Sequence, residues 1–398
     1  MQRFKINTSL SYLVGVSGGP DSMFMLNELI KMNVKDLVVC HVNYKFRNDS
    51  DNDQKIVEKF CEKNNLKLEK LVIEQDYSLL KENFESWARK IRYDFFVEVS
   101  KKHNIKNVLI AHNRNDLVET FLLQQERKSY VKHYGLNKTS MYKDLIIVRP
   151  MLNILKSEIL VALKEEKVAY AVDSTNEDIK YKRNKIRAEL SENSFNKIEK
   201  EINLLNSELE KISLQVDWYV NNNMSADELK INKNLQEKNL EFIQRTIYKW
   251  LEILKKDFII QNRRNKTIFE IAKNIKVSEK VFWEINIGDF SIIKDYENLF
   301  LIKTEIIQPK TFVINSKQDL YLAEEFINWL DLVNAIKRNK ENYPYVITND
   351  FLKYKIDTYT FGKKTNRYLI DKKIRYKNRM LKAVVYSKRA MKILNTIK

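Results

Sequence analysis

The sequence has few of the residues that mark several protein classes: two cysteines, four prolines and six glycines among 398 residues. Cys40 and Cys61 form no CxxC pair, which excludes a disulfide scaffold and a zinc ribbon. The scarcity of Gly and Pro excludes collagen-like and low-complexity classes, so a local glycine cluster is significant. No apolar run approaches the ~18 residues of a membrane span, and the first apolar stretch is too short for a secretory signal. We therefore expect a cytoplasmic protein with no membrane partner.

The length and a hydrophobic fraction of 44% indicate a folded protein of two or three domains. The chain carries a net charge of +18, and this charge is concentrated near one end. Residues 338–398 contain 17 basic and four acidic residues, a net charge of +13, interspersed with aromatic side chains. Because Lys and Arg displace counterions from phosphates, this distribution predicts a nucleic-acid partner. A general Lys, Asn and Ile bias is the alternative cause of the net charge, but it does not explain the concentration.

Two kinds of periodicity divide the chain. Over residues 1–175, short β-branched runs alternate with helical patterns, which predicts an open α/β fold with a parallel sheet and helices on both faces. From about Ser194 to Val216, apolar residues recur at spacings of four and three, which predicts a long helix packed on a core, with a coiled-coil dimer as the alternative. The predicted strands of the sheet are Ser11–Val16, Asp36–Val42, Leu66–Ile73, Asn107–Ala111 and Leu145–Val148.

These patterns predict three domains. An α/β catalytic domain covers residues 1–190, a helical and mixed linker domain covers 191–335, and a small basic α+β domain that binds nucleic acid covers 336–398. Within the linker, residues 281–315 alternate apolar and polar side chains around Gly288-Asp289, as in a small β-element.

The run Ser17-Gly18-Gly19-Pro20-Asp21-Ser22 lies where a predicted strand ends and a helical pattern begins. Backbone amides in such a turn converge on an anion, the helix start adds its positive dipole, and glycine admits phosphate oxygens closely. Ser17 and Ser22 would add hydroxyl donors, and Asp21 would hold Mg²⁺ between phosphates. An ordinary turn with Asp21 at the helix start is the alternative. No GxxxxGK[ST] loop occurs, which disfavours transfer of the γ-phosphate.

The hexapeptide resembles the PP-loop of the ATP pyrophosphatases, enzymes that cleave ATP between its α- and β-phosphates. Within that group, residues 1–190 resemble the tRNA(Ile)-lysidine synthetases. After the loop, the segments similar to that family are His41–Arg47 with Ser50-Asp51, Trp87–Tyr93, Ala111–Thr120, Arg149–Leu152, and Asp173–Asn176 with Tyr181–Arg187; a weaker similarity involves Lys372–Arg375 and Arg379. The sequence departs from the family at Asn115, at Leu117 and over 126–132, where a Gly-rich stretch is replaced and only Gly135-Leu136 resembles its end.

The resemblance implies a ligase that joins free L-lysine to C2 of the wobble cytidine in the CAU anticodon of tRNA(Ile). It implies an adenylated tRNA intermediate, release of pyrophosphate and AMP, and the use of ATP and Mg²⁺. Nucleotide binding is expected from Ser17, Gly18, Gly19, Pro20, Asp21, Ser22 and His41. Asp21 is expected to act in catalysis as the metal ligand, and Asp116 and Glu119, which share one helix face, in lysine recognition or proton transfer.

Several of these residues have a structural alternative. Asp116 could cap a helix, and His41 and His112, each at the end of a predicted strand, could be structural rather than contact adenine, ribose or substrate. Arg89 and Arg92 could instead form ion pairs with acidic residues of their own helix. Asp173 and Asn176 could instead only build a turn. The residues predicted to bind substrate are Arg89, Arg92, His112, Asp173, Asn176, Arg183 and Arg187.

Two other functions stay open on the sequence alone. A PP-loop tRNA thiolase would activate a base by the same adenylation, but it needs reactive cysteines or a cluster, and Cys40 falls in a predicted buried strand and Cys61 in a helix. A catalytically silent RNA-binding protein is the second alternative, and the intact Ser17, Asp21, Asp116 and Glu119 argue against it. The oligomeric state is open, with a homodimer as one option.

Overall fold

The structure is a computed structural model, and it describes residues 3–46, 49–75, 77, 80, 83–127, 130–171, 186, 190–260, 266–350, 359–360 and 363–395. It divides into two compact units, Met1–Glu210 and Lys211–Lys398. The boundaries of the three predicted domains stay predictions.

A six-stranded sheet forms the centre of the first unit, with the spatial order β3-β2-β1-β4-β6-β5. Its strands are β1 (Ser11–Gly15), β2 (Asp36–Asn43), β3 (Lys67–Val72), β4 (Asn107–Ile110), β5 (Thr139–Tyr142) and β6 (Leu145–Val148). All neighbours are parallel except β5, which pairs with β6 in antiparallel register. The predicted open parallel sheet is confirmed, and each predicted strand agrees to within one residue at either end.

Helices cover both faces of this sheet because successive side chains of its parallel strands alternate between two apolar layers. Val14 and Val39 pack with α1, α2 and α5, whereas Leu13 and Val38 pack with α3 on the opposite face. The helices of this unit are α1 (Pro20–Lys31), α2 (Ser50–Lys63), α3 (Phe84–His103), α4 (Arg114–Arg127) and α5 (Lys156–Glu165).

The strand order places a topological switch between β1 and β4. The chain leaves β1 toward β2 on one side and returns through β4 on the other, so the loops after these two strands diverge. Open α/β folds bind ligands in the crevice at such a point, beyond the carboxyl ends of the strands. The glycine-bearing turn follows β1, and His112 and Asn113 follow β4.

The predicted long helix is α6 (Phe195–Asn223), and its apolar stripe is buried at Ile202, Leu209 and Val216. The second unit contains further helices, of which α8 and α9 pack on the carboxyl-terminal part of α6. Their bounds are α7 (Lys233–Gln236), α8 (Leu240–Ile253), α9 (Lys266–Val277), α10 (Trp329–Arg338), α11 (Thr365–Asp371) and α12 (Tyr376–Met380). Short 3-10 helices cover Glu192–Ser194, Asp257–Ile259, Thr304–Ile307 and Lys317–Ala323.

The strands of the second unit form antiparallel sheets. The orders are β7-β8-β11-β10-β9 and β12-β13-β16-β17, with a separate pair β14-β15. The bounds are β7 (Met224–Ser225), β8 (Glu228–Lys230), β9 (Phe282–Ile287), β10 (Phe290–Asp295), β11 (Asn298–Lys303), β12 (Thr311–Ile314), β13 (Tyr345–Thr348), β14 (Tyr359–Thr360), β15 (Lys363–Lys364), β16 (Val384–Ser387) and β17 (Lys392–Ile393). The β-element predicted over 281–315 is confirmed. In the described ranges, no helix combines the length and apolar character needed to cross a membrane.

Candidate functional site

The turn from Ser17 to Ser22 connects β1 to α1 and is tied by its own hydroxyl groups. The Ser22 hydroxyl donates to the Gly19 carbonyl (2.9 Å) and accepts from the Ser17 amide (3.2 Å). The Ser17 hydroxyl accepts from the Gly19 amide at 3.3 Å. Gly19 precedes α1, and Pro20 takes its first position. The hydroxyls that the sequence assigns to phosphate thus also shape the loop.

Gly18 is the position where this turn requires glycine. Its φ is +92°, a backbone conformation that L side chains rarely adopt. A Cβ here would lie 3.0 Å from the carbonyl oxygen of Asp53 in α2. The Gly18 carbonyl also accepts from the Ala171 amide at 2.9 Å. The turn therefore packs directly against α2. It leads into the start of α1, where the first N–H groups have no acceptor within the helix and favour an anion.

Three helix starts meet at the Asp21 carboxylate. Asp21 lies in the first turn of α1, and its Oδ1 accepts from Nδ2 of Asn113, the residue before α4, at 3.0 Å. Lys156, the first residue of α5, places its Nζ 2.7 Å from both carboxylate oxygens of Asp21. The predicted metal ligand is therefore at the switch point, but an ammonium group and an amide already contact it. Neither Asn113 nor Lys156 is among the site residues that the sequence predicts.

Asp116 caps α4. Its Oδ2 accepts from the Asn113 amide (3.0 Å), and its own amide donates to Asn113 Oδ1 (3.0 Å), a reciprocal capping box. Asn113 therefore links Asp116 to Asp21. Glu119, one turn further along α4, is 1% exposed. The structural alternative for Asp116 is observed, and the lysine-binding roles of Asp116 and Glu119 stay predictions.

His41 is buried at the carboxyl end of β2. Its Nδ1 donates to the carbonyl oxygen of Val16, just before the loop, at 2.8 Å. Burial lowers the pKa of His41, so the ring is neutral. Within the described ranges, no protein group forms a hydrogen bond with its buried Nε2. His41 therefore holds the start of the loop, and its predicted contact with adenine or ribose stays a prediction.

Arg149 holds His112 at the carboxyl end of β4. Its Nε donates to His112 Nδ1 at 3.1 Å, which requires a lone pair there and places the ring proton on Nε2. Its Nη1 donates to the Asn137 carbonyl (2.8 Å) and the Ser140 hydroxyl (3.0 Å). Burial lowers the pKa of Arg149. Arg149 falls in a segment similar to the family, but the sequence predicts no role for it.

The two predicted arginines of α3 contact tyrosines. The Arg89 guanidinium lies 4.6 Å from the centre of the Tyr93 ring and donates to its hydroxyl at 2.9 Å. Arg92 lies beside the Tyr44 hydroxyl and lowers its pKa, although burial raises that pKa more. Arg89 is exposed, which leaves its predicted substrate contact sterically open.

The two departures from the family pattern in α4 fit their surroundings. Asn115 donates to a Glu192 oxygen at 3.2 Å, whereas an aspartate there would place two carboxylates together. Leu117 packs against Gly135, whose φ is +70° and where a Cβ would lie 2.6 Å from the leucine. Gln124 accepts from the Gly135 amide at 2.7 Å, so Gly135 is held on α4.

The cysteines do not suit sulfur transfer. Cys40 and Cys61 are both buried, and burial raises the pKa of Cys61 to about 11 and that of Cys40 further. The thiolate is the reactive form, so these thiols are inert at neutral pH. Across the described residues, no group of three or more His, Cys, Asp or Glu could hold a metal ion. Four predicted substrate-binding residues, Asp173, Asn176, Arg183 and Arg187, lie outside the described residues.

The fold and the loop define the class. Residues 2–194 match the PP-loop domain family, in agreement with the mostly parallel sheet and the turn at its switch point. Residues 2–194 form a PP-loop domain, a class of domain that uses ATP.

Relatives named tRNA(Ile)-lysidine synthase are similar over the whole chain. One from Mesoplasma florum is 81% identical over 398 residues, covering 100% of both chains, and one from Mycoplasma mycoides subsp. mycoides SC is 51% identical over 399 residues, covering 100% of this chain and 99% of the relative. The chain belongs to the tRNA(Ile)-lysidine synthase family and is a tRNA-modifying enzyme. Among solved structures, the U34-tRNA thiolase NcsA from Methanococcus maripaludis has a TM-score of 0.43 and 17% identity, covering 52% of this chain and 73% of that chain.

Proposed function

We propose that this protein ligates free L-lysine to C2 of the wobble cytidine in the CAU anticodon of tRNA(Ile), with ATP as the energy source. The observation that carries the proposal is the full-length 81% identity to a relative named tRNA(Ile)-lysidine synthase. The arrangement of the loop, Asp21 and Asp116 at the carboxyl edge of the sheet, with Glu119 one turn further along α4, supports it.

In the first step, cytosine O2 attacks the α-phosphorus of ATP, the bond to the bridging oxygen of the β-phosphate breaks, and pyrophosphate leaves. Negative charge grows on the pyrophosphate. The Ser17 and Ser22 hydroxyl groups hold the turn that leads into α1, so the N–H groups of the first turn of this helix project from a fixed backbone. Such preorganised donors stabilise the growing charge without reorganisation.

In the second step, the ε-amine of lysine attacks C2, the bond from C2 to oxygen breaks, and AMP leaves with the electron pair. The free ammonium has a pKa of about 10.4, so it must give up a proton first. We assign Asp116 and Glu119, three residues apart on α4, to binding the ammonium group and accepting that proton. Asn113 forms hydrogen bonds with both Asp116 and Asp21, so it fixes the position of the proposed lysine-binding carboxylate relative to the proposed metal-binding one.

Asp21 is the residue we assign to Mg²⁺. Its two carboxylate oxygens already contact the Lys156 ammonium, so this carboxylate accepts a cation in its present geometry. One or two carboxylates together with substrate phosphates are the usual Mg²⁺ ligands, which fits a single protein carboxylate beside a phosphate turn. The bound ion would neutralise charge on the leaving pyrophosphate.

Incorporation of labelled lysine tests the proposal. Purified protein is incubated with ATP, radiolabelled lysine and an isoleucine tRNA transcript with a CAU anticodon, and the expected result is label in the tRNA with stoichiometric AMP and pyrophosphate. A transcript with U in place of the wobble cytidine is the control and should stay unlabelled. Formation of ADP, or no label in the CAU transcript with folded protein, would contradict the proposal.

We propose that the basic end of the chain binds the tRNA backbone. Deletion of residues 336–398 is unsuitable as a test, because β12 pairs with β13 and the deletion would remove the partner strand. Exposed Lys373, Lys388 and Lys392 can instead be changed to Gln together. Each phosphate contact contributes about 0.9 to the slope of log affinity against log salt for duplex nucleic acid, so the slope should become shallower by about 2 to 3.

The matched control changes three exposed lysines of the first unit, Lys59, Lys63 and Lys101, to Gln. It alters the net charge equally, so a general charge effect would change both slopes by the same amount. Filter binding of the transcript at several salt concentrations measures both. Equal slopes for the two triple variants would contradict a specific role of the basic end.

A further inference from the structure

Lys156 and Asp21 form an ion pair that the steps above do not use. The two residues are 135 positions apart in the sequence, and the Lys156 Nζ is 2.7 Å from each oxygen of the carboxylate. The side chains are 32% and 29% exposed, so the pair is open to solvent. Exposed ion pairs contribute little to stability, and the stability of the fold therefore gives no strong reason for this contact.

The backbone of Lys156 is fixed, whereas its ammonium group ends a flexible side chain that is 32% exposed. The Lys156 amide donates to the Asn115 side chain at 2.9 Å, and the same residue begins α5. The ammonium group is a compact charge on a flexible four-carbon stem with three donors. A rotation about that stem moves the charge without moving α5.

The location of the pair suggests what the ammonium group does. The carboxylate that it contacts is in the first turn of α1, directly after the glycine turn. A divalent ion on Asp21 would compete with the ammonium for the same oxygens, because the doubly charged ion is attracted more strongly. The displaced ammonium would then be next to the polyphosphate, the strongest acceptor in this region.

We propose that Lys156 is a resident counter-cation of the PP-loop, which exchanges Asp21 for a phosphate oxygen when nucleotide and metal bind. In the free protein it neutralises Asp21, which would otherwise repel an incoming polyphosphate. In the complex it binds the nucleotide directly. The inference rests on the use of ATP in the proposed function and adds a phosphate-binding residue to that site.

The affinity for ATP with and without Mg²⁺ tests this role in the full-length protein. Equilibrium dialysis with radiolabelled ATP gives the Kd in Mg²⁺ and in EDTA for the wild type and for Lys156→Met. In Mg²⁺ the variant loses one charge-assisted hydrogen bond, and we expect about tenfold weaker binding. In EDTA it also leaves Asp21 uncompensated, so the ratio of Kd in EDTA to Kd in Mg²⁺ should rise by about a further tenfold.

Three variants serve as controls. Lys164→Met removes an exposed positive charge from the same helix, about 12 Å along its axis, and should leave the ratio unchanged. Lys156→Arg keeps the charge and should restore most of the EDTA affinity. Asp21→Asn should tighten ATP binding in EDTA, because it removes the repelling charge, while it abolishes most of the gain from Mg²⁺.

The outcomes separate the inference from the proposed function. A ratio for folded Lys156→Met within twofold of the wild type would overturn the inference and leave Lys156 as a link between α1 and α5. If the wild type binds no ATP in either buffer, the proposed function fails together with the inference. If Lys156→Met does not fold, Lys156→Gln is used in its place, and the ratio of Kd in EDTA to Kd in Mg²⁺ is measured for that variant in the same way.

Discussion

Asp21→Asn is expected to lower the rate of pyrophosphate release at least about 100-fold, the usual effect of removing a group that stabilises transition-state charge. Asparagine keeps the size of aspartate and one acceptor oxygen for Asn113, but it loses the ion pair with Lys156, and the neutral amide is a poor ligand for Mg²⁺. The measurement is pyrophosphate release with ATP, lysine and the CAU transcript at fixed Mg²⁺.

Glu62→Gln is the matched control for this variant. Glu62 is an exposed acid on α2, and its change alters the net charge of the first unit by the same amount. We expect its rate to stay within about twofold of the wild type, since surface substitutions away from the site have small effects. A rate for Asp21→Asn within threefold of the wild type would contradict the assignment of the metal to Asp21.

Most of the fold could be predicted because the central strands are buried on both faces. Strands such as β1 and β2 are nearly continuous apolar runs, because their side chains pack against helices on both faces of the sheet. The edge strand β5 was missed because it lacks that signal: Met141 is 65% exposed and no helix pattern flanks it. The segment is a strand because it forms hydrogen bonds with β6, and its residue composition does not indicate one.

The phosphate turn was predictable because its residues are contiguous and follow a strand. The pair of Lys156 and Asp21 was not, because the two residues are 135 positions apart and each has an ordinary helix-start sequence around it. Asn113 could have been found, since Asn followed three residues later by Asp indicates a capping box. Arg149 has no comparable local signal, because its partners come from two other segments.

The net charge of residues 338–398 overestimates the number of cationic side chains that are available to bind RNA. Arg375 makes an ion pair with Glu228 at 2.6 Å, and Arg379 contacts the buried Asp295 at 3.7 Å. The Tyr376 amide also donates to Asp295, whose pKa burial raises. These two arginines therefore hold α12 on the sheet, and the exposed lysines are the groups available for phosphate.

Gly18→Ala is expected to destabilise the first unit by about 2 kcal/mol, because it places a Cβ at a positive φ. That Cβ would also lie 3.0 Å from the Asp53 carbonyl, and this backbone atom cannot rotate away. The turn must shift, so the N–H groups at the start of α1 lose their direction. We expect denaturant unfolding to show the loss of stability and equilibrium dialysis to show at least about tenfold weaker ATP binding.

Gly19→Ala is the matched control in the same turn. Its φ is −72°, which alanine adopts readily, and its Cβ would meet only the Ser17 hydroxyl at 3.4 Å, an ordinary contact. Alanine is less favourable than glycine as the N-cap of α1, so we expect a loss of about 0.5 to 1 kcal/mol, smaller than that of Gly18→Ala. If phosphate approaches the turn closely, the added methyl group still weakens ATP binding, so this variant separates the fold from the site. Equal stability of the two variants would contradict the requirement for glycine at position 18, and full ATP affinity in both would place the phosphates elsewhere.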